Sequence, residues 1–329
     1  MAFSAKTRRY LIAFLILGWS ITLIYSALRT NPSKFPLKTK QLYRNNRLLM
    51  GTFWEVVSSD QRASAIVFSE ASRIEQLLSK YIPGSEISRL NRLGKLKVSP
   101  DTFYILQKSK QFWRLSNGAF DVTVGPLLEL WGFADKRYSL PKKNAVRKNL
   151  ALVGCDKIIF NIDDNVIKFK LSGMKIDLGA IAKGYAIDRA VKKLKESGVR
   201  SCLINAGGQV YCLGDKFGRP WRVAVRGYTG KGHAGYLELK DQSVATSGGY
   251  EQYFIKDNKR YCHILNPKTG FPVDLNVERV TVVAPSALTA DALSTSIFVL
   301  GKSEGMELAN KFVGVKVAVI EDKDVQNYL

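Results

Sequence analysis

The spacing of apolar residues predicts several helices along this chain. Between residues 61 and 79 apolar side chains recur every three or four positions, which is the period of an amphipathic helix. A second helix is expected over about 100–116, where Asn117-Gly118 ends it, and another over 287–300. The segments YIPGSEISRLN, from Tyr81, and the basic stretch up to about Lys148 are expected to be a turn and a loop.

The remaining pattern predicts strands, most of them in the second half. Runs rich in β-branched and aromatic residues begin at Met50 and recur at 157–162, 165–171, 201–214, 221–228, 235–249, 251–265, 280–285 and 316–321. IDLGAIAKGYAIDRAVKKLKESG predicts a strand end, a turn and a helix that Gly198 stops. The connections are too irregular for a doubly wound sheet. We therefore predict an α+β fold with mixed, largely antiparallel sheets packed with helices.

The N-terminus carries a long apolar run. The nineteen residues 10–28 have no charge, which suffices for a helix across a bilayer, and Lys6, Arg8 and Arg9 precede them. The predicted organisation is a cytoplasmic basic stub (1–9), a transmembrane signal anchor (10–28), a tether (29–48) and one domain (49–329). A cleavable signal peptide is the alternative, but no clear small-residue cleavage site follows.

The charge and the cysteines indicate which partners and metal sites to expect. The formal net charge is +22, and outside the first 50 residues the basic side chains are interleaved with acidic ones. This pattern favours a solvated basic surface, and with no nucleic-acid-binding motif we predict no nucleic-acid partner. The four cysteines form no CxxC pair, so a zinc site is not expected. Buried free thiols are the favoured interpretation, and a disulfide between Cys202 and Cys212 is the alternative.

The segment IDLGAIAKGYA, 176–186, is the first candidate for chemistry. Asp177 lies at a strand end, and Gly179 allows another group to approach the backbone. The small side chain of Ala180 leaves its own carbonyl accessible, and Lys183 lies on the first helical turn, where free N–H groups favour anions. The alternative is an ordinary helix entry with Asp177 as its cap and Lys183 in solvent.

Two further segments carry suitable groups. In TADALSTS, Asp291 and Thr295 are four residues apart on one helix, so their oxygens share a face and could hold a hard cation such as Mg²⁺. In HILNPKTG, His263 precedes a tight turn and could be catalytic or structural. Either segment could equally be an ordinary part of the fold.

The order of the motifs is more specific than any one of them. MGT at 50, SEISRLN at 85, GAFDVTVGPL at 118, IDLGAIAKGYAIDRA at 176, NAGGQ at 205, VATSGG at 244, HILNPKTG at 263 and ADALST at 290 resemble the ApbE family of flavin transferases, over about residues 48–320. The resemblance implies that the protein binds FAD with Mg²⁺ and transfers the FMN half to a Thr or Ser hydroxyl of a target protein. A phosphoester would form and AMP would leave.

The resemblance also implies a location and a set of site residues. The target would be a membrane redox subunit, and the domain would lie at the outer, periplasmic face of the bacterial cytoplasmic membrane. The implied metal ligands are the Ala180 carbonyl, Asp291 and the Thr295 hydroxyl, and His263 is a candidate general base. The implied flavin-nucleotide contacts are Met50, Tyr81, Ala119, Phe120, Asp121, Asp177, Lys183 and Leu265.

Three positions depart from the family pattern. Gln209, Gly249 and Asn266 stand where an acidic residue is usual, so each removes a negative charge near the expected site. Two alternatives use the same site: an FAD pyrophosphatase that gives FMN and AMP, and a membrane-tethered FAD-binding protein without turnover. A basic module that binds nucleic acid or lipid is an alternative from another class.

Overall fold

The protein is described by a computed structural model over residues 41–226, 233–273 and 277–321. The predicted anchor at 10–28 lies outside these residues, and among those described no helix is both long and apolar enough to span a bilayer. The described helices are α1 (Ala63–Leu78), α2 (Glu86–Leu93), α3 (Pro100–Leu115), α4 (Gly125–Leu130), α5 (Lys143–Leu150), α6 (Ala182–Glu196), α7 (Ala287–Leu300) and α8 (Lys302–Ala309). The described strands are β1 (Tyr43–Leu49), β2 (Thr52–Ser58), β3 (Lys95–Lys97), β4 (Ile158–Asn161), β5 (Val166–Phe169), β6 (Cys202–Ala206), β7 (Gln209–Leu213), β8 (Trp221–Arg226), β9 (His233–Leu239), β10 (Gln242–Gly248), β11 (Tyr253–Lys256), β12 (Lys259–Cys262), β13 (Val277–Ala284) and β14 (Lys316–Glu321).

One large antiparallel sheet organises the domain. Seven of the described strands pair in the order β1-β2-β6-β7-β10-β13-β14, and every neighbouring pair is antiparallel. The other described strands form one three-stranded sheet, in the order β3-β5-β4, and two two-stranded sheets, β8-β9 and β11-β12. The predicted α+β fold with largely antiparallel sheets is therefore confirmed.

Helices cover one face of this sheet and form the main core with it. The sequence of α7 is apolar nearly all round, and its residues are buried on most sides because it lies against β10, β13, α6 and α8. Helix α6 in turn packs against α1 and α7. The two helices that carry the candidate chemistry, α6 and α7, are thus neighbours in the core.

The opposite face of the sheet is covered by the β8–β9 hairpin, where Trp221 and Leu239 pack on Cys212 and Val244. The pairing of β6 with β7 shows whether Cys202 and Cys212 can form a disulfide. Cys202 lies opposite Leu213, and Cys212 lies opposite Leu203, so the two thiols point to opposite faces. Both are free and buried, and burial raises the pKa of each to about 12. The alternative disulfide is wrong.

Three sequence predictions need correction. Residues 43–48 do not belong to the predicted tether at 29–48, because Tyr43–Leu49 pairs with β2 as an edge strand. Its residues are mostly exposed and therefore lack an alternating pattern. The expected turn after Tyr81 contains a helix, Glu86–Leu93, which Ser85 caps by accepting a hydrogen bond from the Ser88 amide. The expected basic loop contains Lys143–Leu150, a mostly polar helix that buries only Val146.

Candidate active site

A cleft opens beside the first turn of α6 and the turns of α7 that carry Asp291 and Thr295. One cavity in it, about 270 Å³, contains most of the predicted site residues and is called the main cavity. It adjoins a larger groove of about 480 Å³, the outer groove, and the two share Lys80, Tyr81, Asp177, Gly179 and Lys183. The groove also contains Met50. All the residues predicted for the site therefore border one continuous cleft. Those in the main cavity are Tyr81, Ala119, Phe120, Asp121, Asp177, Ala180, Lys183, His263, Leu265, Asp291 and Thr295.

The turn before α6 is built by hydrogen bonds to Asp177. The Asp177 amide donates to the Val122 carbonyl at 2.7 Å, and its Oδ1 accepts from the Gly179 amide at 2.7 Å. Ile181, without a side-chain cap, precedes the helix, so Asp177 is not its cap. Lys183 folds back on the turn, and its Nζ donates to the Gly179 carbonyl at 3.3 Å. The turn thus points Lys183 into the cleft.

Asp291 is buried on α7 and faces this turn. Its Oδ2 accepts from the Gly184 amide at 3.1 Å, and the Nζ of Lys183 lies 3.9 Å from its Oδ1. Among the described residues no group donates a hydrogen bond to that Oδ1. Burial raises the pKa of the Asp291 carboxyl, and the Lys183 ammonium and the Gly184 amide, which both lower it, offset this only in part. A buried carboxylate oxygen without a donor is suited to a metal ion.

Thr295 lies one turn beyond Asp291 and borders the same cavity as Ala180. Its Oγ1 is 3.3 Å from the Ser247 hydroxyl on β10, which also contacts Ser294 Oγ at 2.8 Å. A backbone carbonyl, a carboxylate and a hydroxyl are the hard oxygen ligands that Mg²⁺ prefers. The donor set present in the cleft therefore fits this ion.

Lys80 is a residue of the cleft that the sequence did not single out. Its Nζ lies 2.5 Å from Asp177 Oδ2 and 4.9 Å from the centre of the Tyr81 ring. Burial by itself lowers the pKa of Lys80, but the Asp177 carboxylate outweighs it, so the pKa is raised and the ammonium stays charged. Lys80 and Lys183 thus provide two cations along the cleft. Lys80 and its ion-pair partner Asp177 are 97 positions apart in the sequence.

Ala119, Phe120 and Asp121 form a buried wall of the main cavity. Asp121 Oδ1 accepts from the Thr123 amide at 2.7 Å and the Thr123 hydroxyl at 2.6 Å, and Oδ2 accepts from the Cys155 amide at 3.2 Å. Burial raises the pKa of this carboxyl. The Asp121 side chain is therefore a structural brace for the wall that it borders.

His263 lines the main cavity and directly follows the end of β12. Its backbone amide and its Nδ1 both approach the Gln252 carbonyl at 3.0 Å. Because a carbonyl can only accept, Nδ1 carries the proton, and Nε2 is left with a lone pair. Burial lowers the pKa of His263, so the neutral ring that can accept a proton persists at neutral pH.

Met50 and Tyr81 border the outer groove. Met50 and Gly51 have positive φ angles, 51° and 72°, and form the two-residue turn between β1 and β2. The Met50 amide donates to Glu75 Oε1 at 2.8 Å, which fixes the turn against α1. Tyr81 is 70% exposed at the mouth, where a ring can stack on a ligand.

The three departures from the family pattern lie in different settings. Gln209 is buried in the cavity lining, and its Nε2 donates to the Ala287 carbonyl at 2.8 Å. Asn266 accepts from the Lys268 amide and so organises the turn after His263. Gly249 is not among the residues that line the cavity, but Glu251, two residues later, is. The cleft therefore keeps a carboxylate near the position of Gly249.

Comparisons with known proteins agree with the motif order. A family model described as the ApbE family matches residues 50–319. A Haemophilus influenzae protein named FAD:protein FMN transferase is 34% identical over 248 residues, 71% of each chain. A Klebsiella pneumoniae protein of the same name is 33% identical, covering 82% of this chain and 86% of the relative.

Solved structures give the same result for the fold. The crystal structure of an ApbE protein from Thermotoga maritima aligns with a TM-score of 0.80 at 34% identity, covering 86% of this chain and 95% of that one. A flavin transferase ApbE from Vibrio cholerae aligns with a TM-score of 0.76 at 28% identity, covering 85% and 94% of the two chains.

Proposed function

The chain belongs to the ApbE family, and on that premise we propose that it is an FAD:protein FMN transferase. It transfers the FMN moiety of FAD to a Thr or Ser hydroxyl of a target protein, forms a phosphoester and releases AMP, with Mg²⁺ as cofactor. One observation carries the proposal: Ala180, Asp291 and Thr295, which offer three oxygen ligands, line the same cavity as Lys183 and His263.

The metal site consists of the Ala180 carbonyl, the Asp291 carboxylate and the Thr295 hydroxyl. The donor-free Oδ1 of Asp291 and the hard character of all three groups support this assignment. When bound, Mg²⁺ would offset the negative charge of the diphosphate that repels an incoming oxygen nucleophile.

The protein's own cations bind the diphosphate beside this site. Lys183 reaches the cleft from the first turn of α6, where the positive end of the helix dipole adds to its potential. Lys80 supports it from the outer groove through Asp177. These groups hold the phosphates in place and stabilise the charge on the leaving AMP.

His263 accepts the proton of the acceptor hydroxyl. The hydroxyl oxygen forms a bond to the phosphorus of the FMN half, and the bond between that phosphorus and the oxygen bridging to AMP breaks. The proton passes to Nε2 of His263, and AMP leaves as an anion with the bridging oxygen. The Gln252 carbonyl holds the ring in the tautomer that this step needs.

We place the domain at the outer face of the bacterial cytoplasmic membrane. The uncharged run 10–28 and the basic residues before it support a single-pass anchor with residues 1–9 in the cytoplasm. A tether then leads to β1 at Tyr43. The target in this arrangement is a redox subunit of the same membrane with an acceptor Thr or Ser.

The proposal is tested by incubating the protein with FAD, Mg²⁺ and a Thr-bearing peptide from a candidate target. Mass measurement should show one FMN moiety on the peptide and an equal amount of AMP. The matched control is the same peptide with Val at the acceptor position, which should remain unmodified. Free FMN and AMP without modified peptide would identify a pyrophosphatase, and FAD binding without AMP release would identify a binding protein.

The role of His263 has its own test. His263→Ala should bind FAD and metal as the wild type does, when each is titrated separately, but should lose most of its transfer rate. A wild-type rate in this variant would remove His263 from the mechanism.

A further inference from the structure

The first turn of α7 is held by a side chain from α6. Asp188 Oδ1 accepts from the Ala287 amide at 2.7 Å. Its Oδ2 accepts from the Ser286 hydroxyl at 2.7 Å and from the Leu288 amide at 3.0 Å. One carboxylate thus binds three consecutive residues of the neighbouring helix.

The same turn is held from a second direction. Gln209 on β7 donates from Nε2 to the Ala287 carbonyl at 2.8 Å. The peptide groups on both sides of Ala287 are therefore fixed, the amide by α6 and the carbonyl by the central sheet. This leaves α7 little freedom to slide along or rotate against α6.

Ordinary helix capping does not require Asp188. Ser286 already caps α7, because its hydroxyl accepts from the Thr289 amide at 3.2 Å. Asp188 adds an acceptor from another element, about 100 residues earlier in the chain, and places a carboxylate in a partly buried position. Such a charge is costly to bury unless it is fully hydrogen-bonded.

The two helices joined in this way carry the two halves of the proposed metal site. The turn containing Ala180 leads directly into α6, whereas Asp291 and Thr295 lie one and two turns after Ala287 on α7. A shift of α7 along α6 would separate the Ala180 carbonyl from the other two oxygens. The Gly184 amide, which donates to Asp291, is a further direct link between the two helices.

We propose that Asp188 is a positioning residue, which sets the register of α7 on α6 so that the oxygens of Ala180, Asp291 and Thr295 converge on a divalent cation. This inference rests on the proposed function for the identity of the metal ligands. Asp188 itself lies outside the main cavity and the outer groove, so its effect on the cation acts through the helix.

The test measures Mn²⁺ affinity rather than turnover. Free Mn²⁺ is counted by electron paramagnetic resonance during titration of the wild type, Asp188→Ala and Asp188→Asn. The alanine variant should bind Mn²⁺ about 10- to 100-fold more weakly, as is usual when a group that orients metal ligands is removed. The asparagine variant keeps the side-chain volume and one acceptor, so its loss should be smaller. Saturating Mg²⁺ should restore much of the transfer rate while the apparent Mg²⁺ requirement stays raised.

Asp101→Asn is the matched control. Asp101 is also a partly buried carboxylate bonded to α6, through the Tyr185 hydroxyl and Arg189, but its bonds do not reach α7. Asp101→Asn and Asp188→Asn should both lower the melting temperature, but Asp101→Asn should leave the Mn²⁺ affinity within about twofold of the wild type.

The outcomes separate this proposal from the proposed function. Unchanged Mn²⁺ affinity in folded Asp188→Ala overturns it, as does an equal loss in Asp101→Asn. If the alanine variant does not fold, the Mn²⁺ affinity of Asp188→Asn relative to Asp101→Asn decides in the same way. Wild-type protein that binds Mn²⁺ but does not modify the peptide refutes the transferase and leaves the positioning role to be judged by these affinities. Wild-type protein that binds no Mn²⁺ overturns both.

Discussion

The close contact between α6 and α7 at Gly184 gives a sharp prediction. A Cβ at this position would lie 2.4 Å from the Ala287 carbonyl oxygen and 2.7 Å from the Leu288 Cα. Both are backbone atoms, so no side chain can rotate away. Since ordinary contacts between such atoms are roughly 3.5 Å, Gly184→Ala must push α7 away by about 1 Å.

Two effects on stability oppose each other in this variant. Overpacking costs about 1–3 kcal/mol, whereas replacing glycine by alanine in a helix contributes up to about 1 kcal/mol. We therefore expect a net loss of roughly 1 kcal/mol, or a melting temperature about 2–4 °C lower. Activity should suffer more, because a displacement of about 1 Å at a catalytic group can reduce the rate on the order of 100-fold. The assay is the rate of FMN transfer at fixed Mg²⁺, with the melting temperature measured in parallel.

Gly305→Ala is the matched control. Its Cβ would also press on α7, but from α8 and against the Ile297 side chain, with Cγ2 at 2.5 Å. This variant should lose comparable stability and keep its transfer rate within a few-fold. Wild-type transfer by Gly184→Ala, or an equal loss in both variants, would refute the reasoning that α7 must lie at this distance from α6.

Three other outcomes follow from the structure. Burial lowers the pKa of His263, and only the neutral ring accepts a proton. On acidification, kcat/KM for transfer should therefore fall only below pH 6.5, the pKa typical of a free imidazole. An acid limb at or above pH 6.5, or the same limb in His263→Ala, would contradict this. Lys80→Met leaves the Asp177 carboxylate uncompensated beside the diphosphate site, so FAD binding should weaken about tenfold and recover in part when Asp177→Asn is added. Titration of FAD fluorescence measures the affinity, and an unchanged affinity in Lys80→Met would show that the ion pair has no role in binding. Gly270→Ala should lower the free energy of unfolding, measured in urea, by roughly 2–4 kcal/mol, because the φ angle of Gly270 is +76° and the new Cβ would lie 2.7 Å from Val146 Cγ1. A loss below about 0.5 kcal/mol would be inconsistent with this packing.

Strongly periodic segments were predictable from the sequence because their pattern reflects burial. The helix expected at 61–79 is Ala63–Leu78, and the one expected at 287–300 is Ala287–Leu300. The site residues could be placed in one cleft because their motifs occur in a characteristic order. Each motif alone was compatible with an ordinary turn or helix, and Asp121, whose oxygens brace the cavity wall, shows that such a residue can also serve the fold.

The missed features have little local signal. Strand β1 is polar because it lies at the sheet edge, and Lys143–Leu150 buries a single residue, so neither shows a periodic apolar face. The Lys80–Asp177 ion pair and the hydrogen bonds that Asp188 accepts from α7 join residues about 100 positions apart. The ion pair depends on how α1 and α6 pack, and the Asp188 bonds depend on how α6 and α7 pack; a one-dimensional pattern contains no information on either packing.

A crystal structure with FAD and Mn²⁺ tests the central claim most directly. Anomalous scattering locates the manganese without reference to the assigned ligands. We predict one peak in bonding contact with the Ala180 carbonyl oxygen, the Asp291 carboxylate and Thr295 Oγ1, with the diphosphate of FAD beside it. A metal bound elsewhere, or FAD bound outside this cleft, would contradict the account.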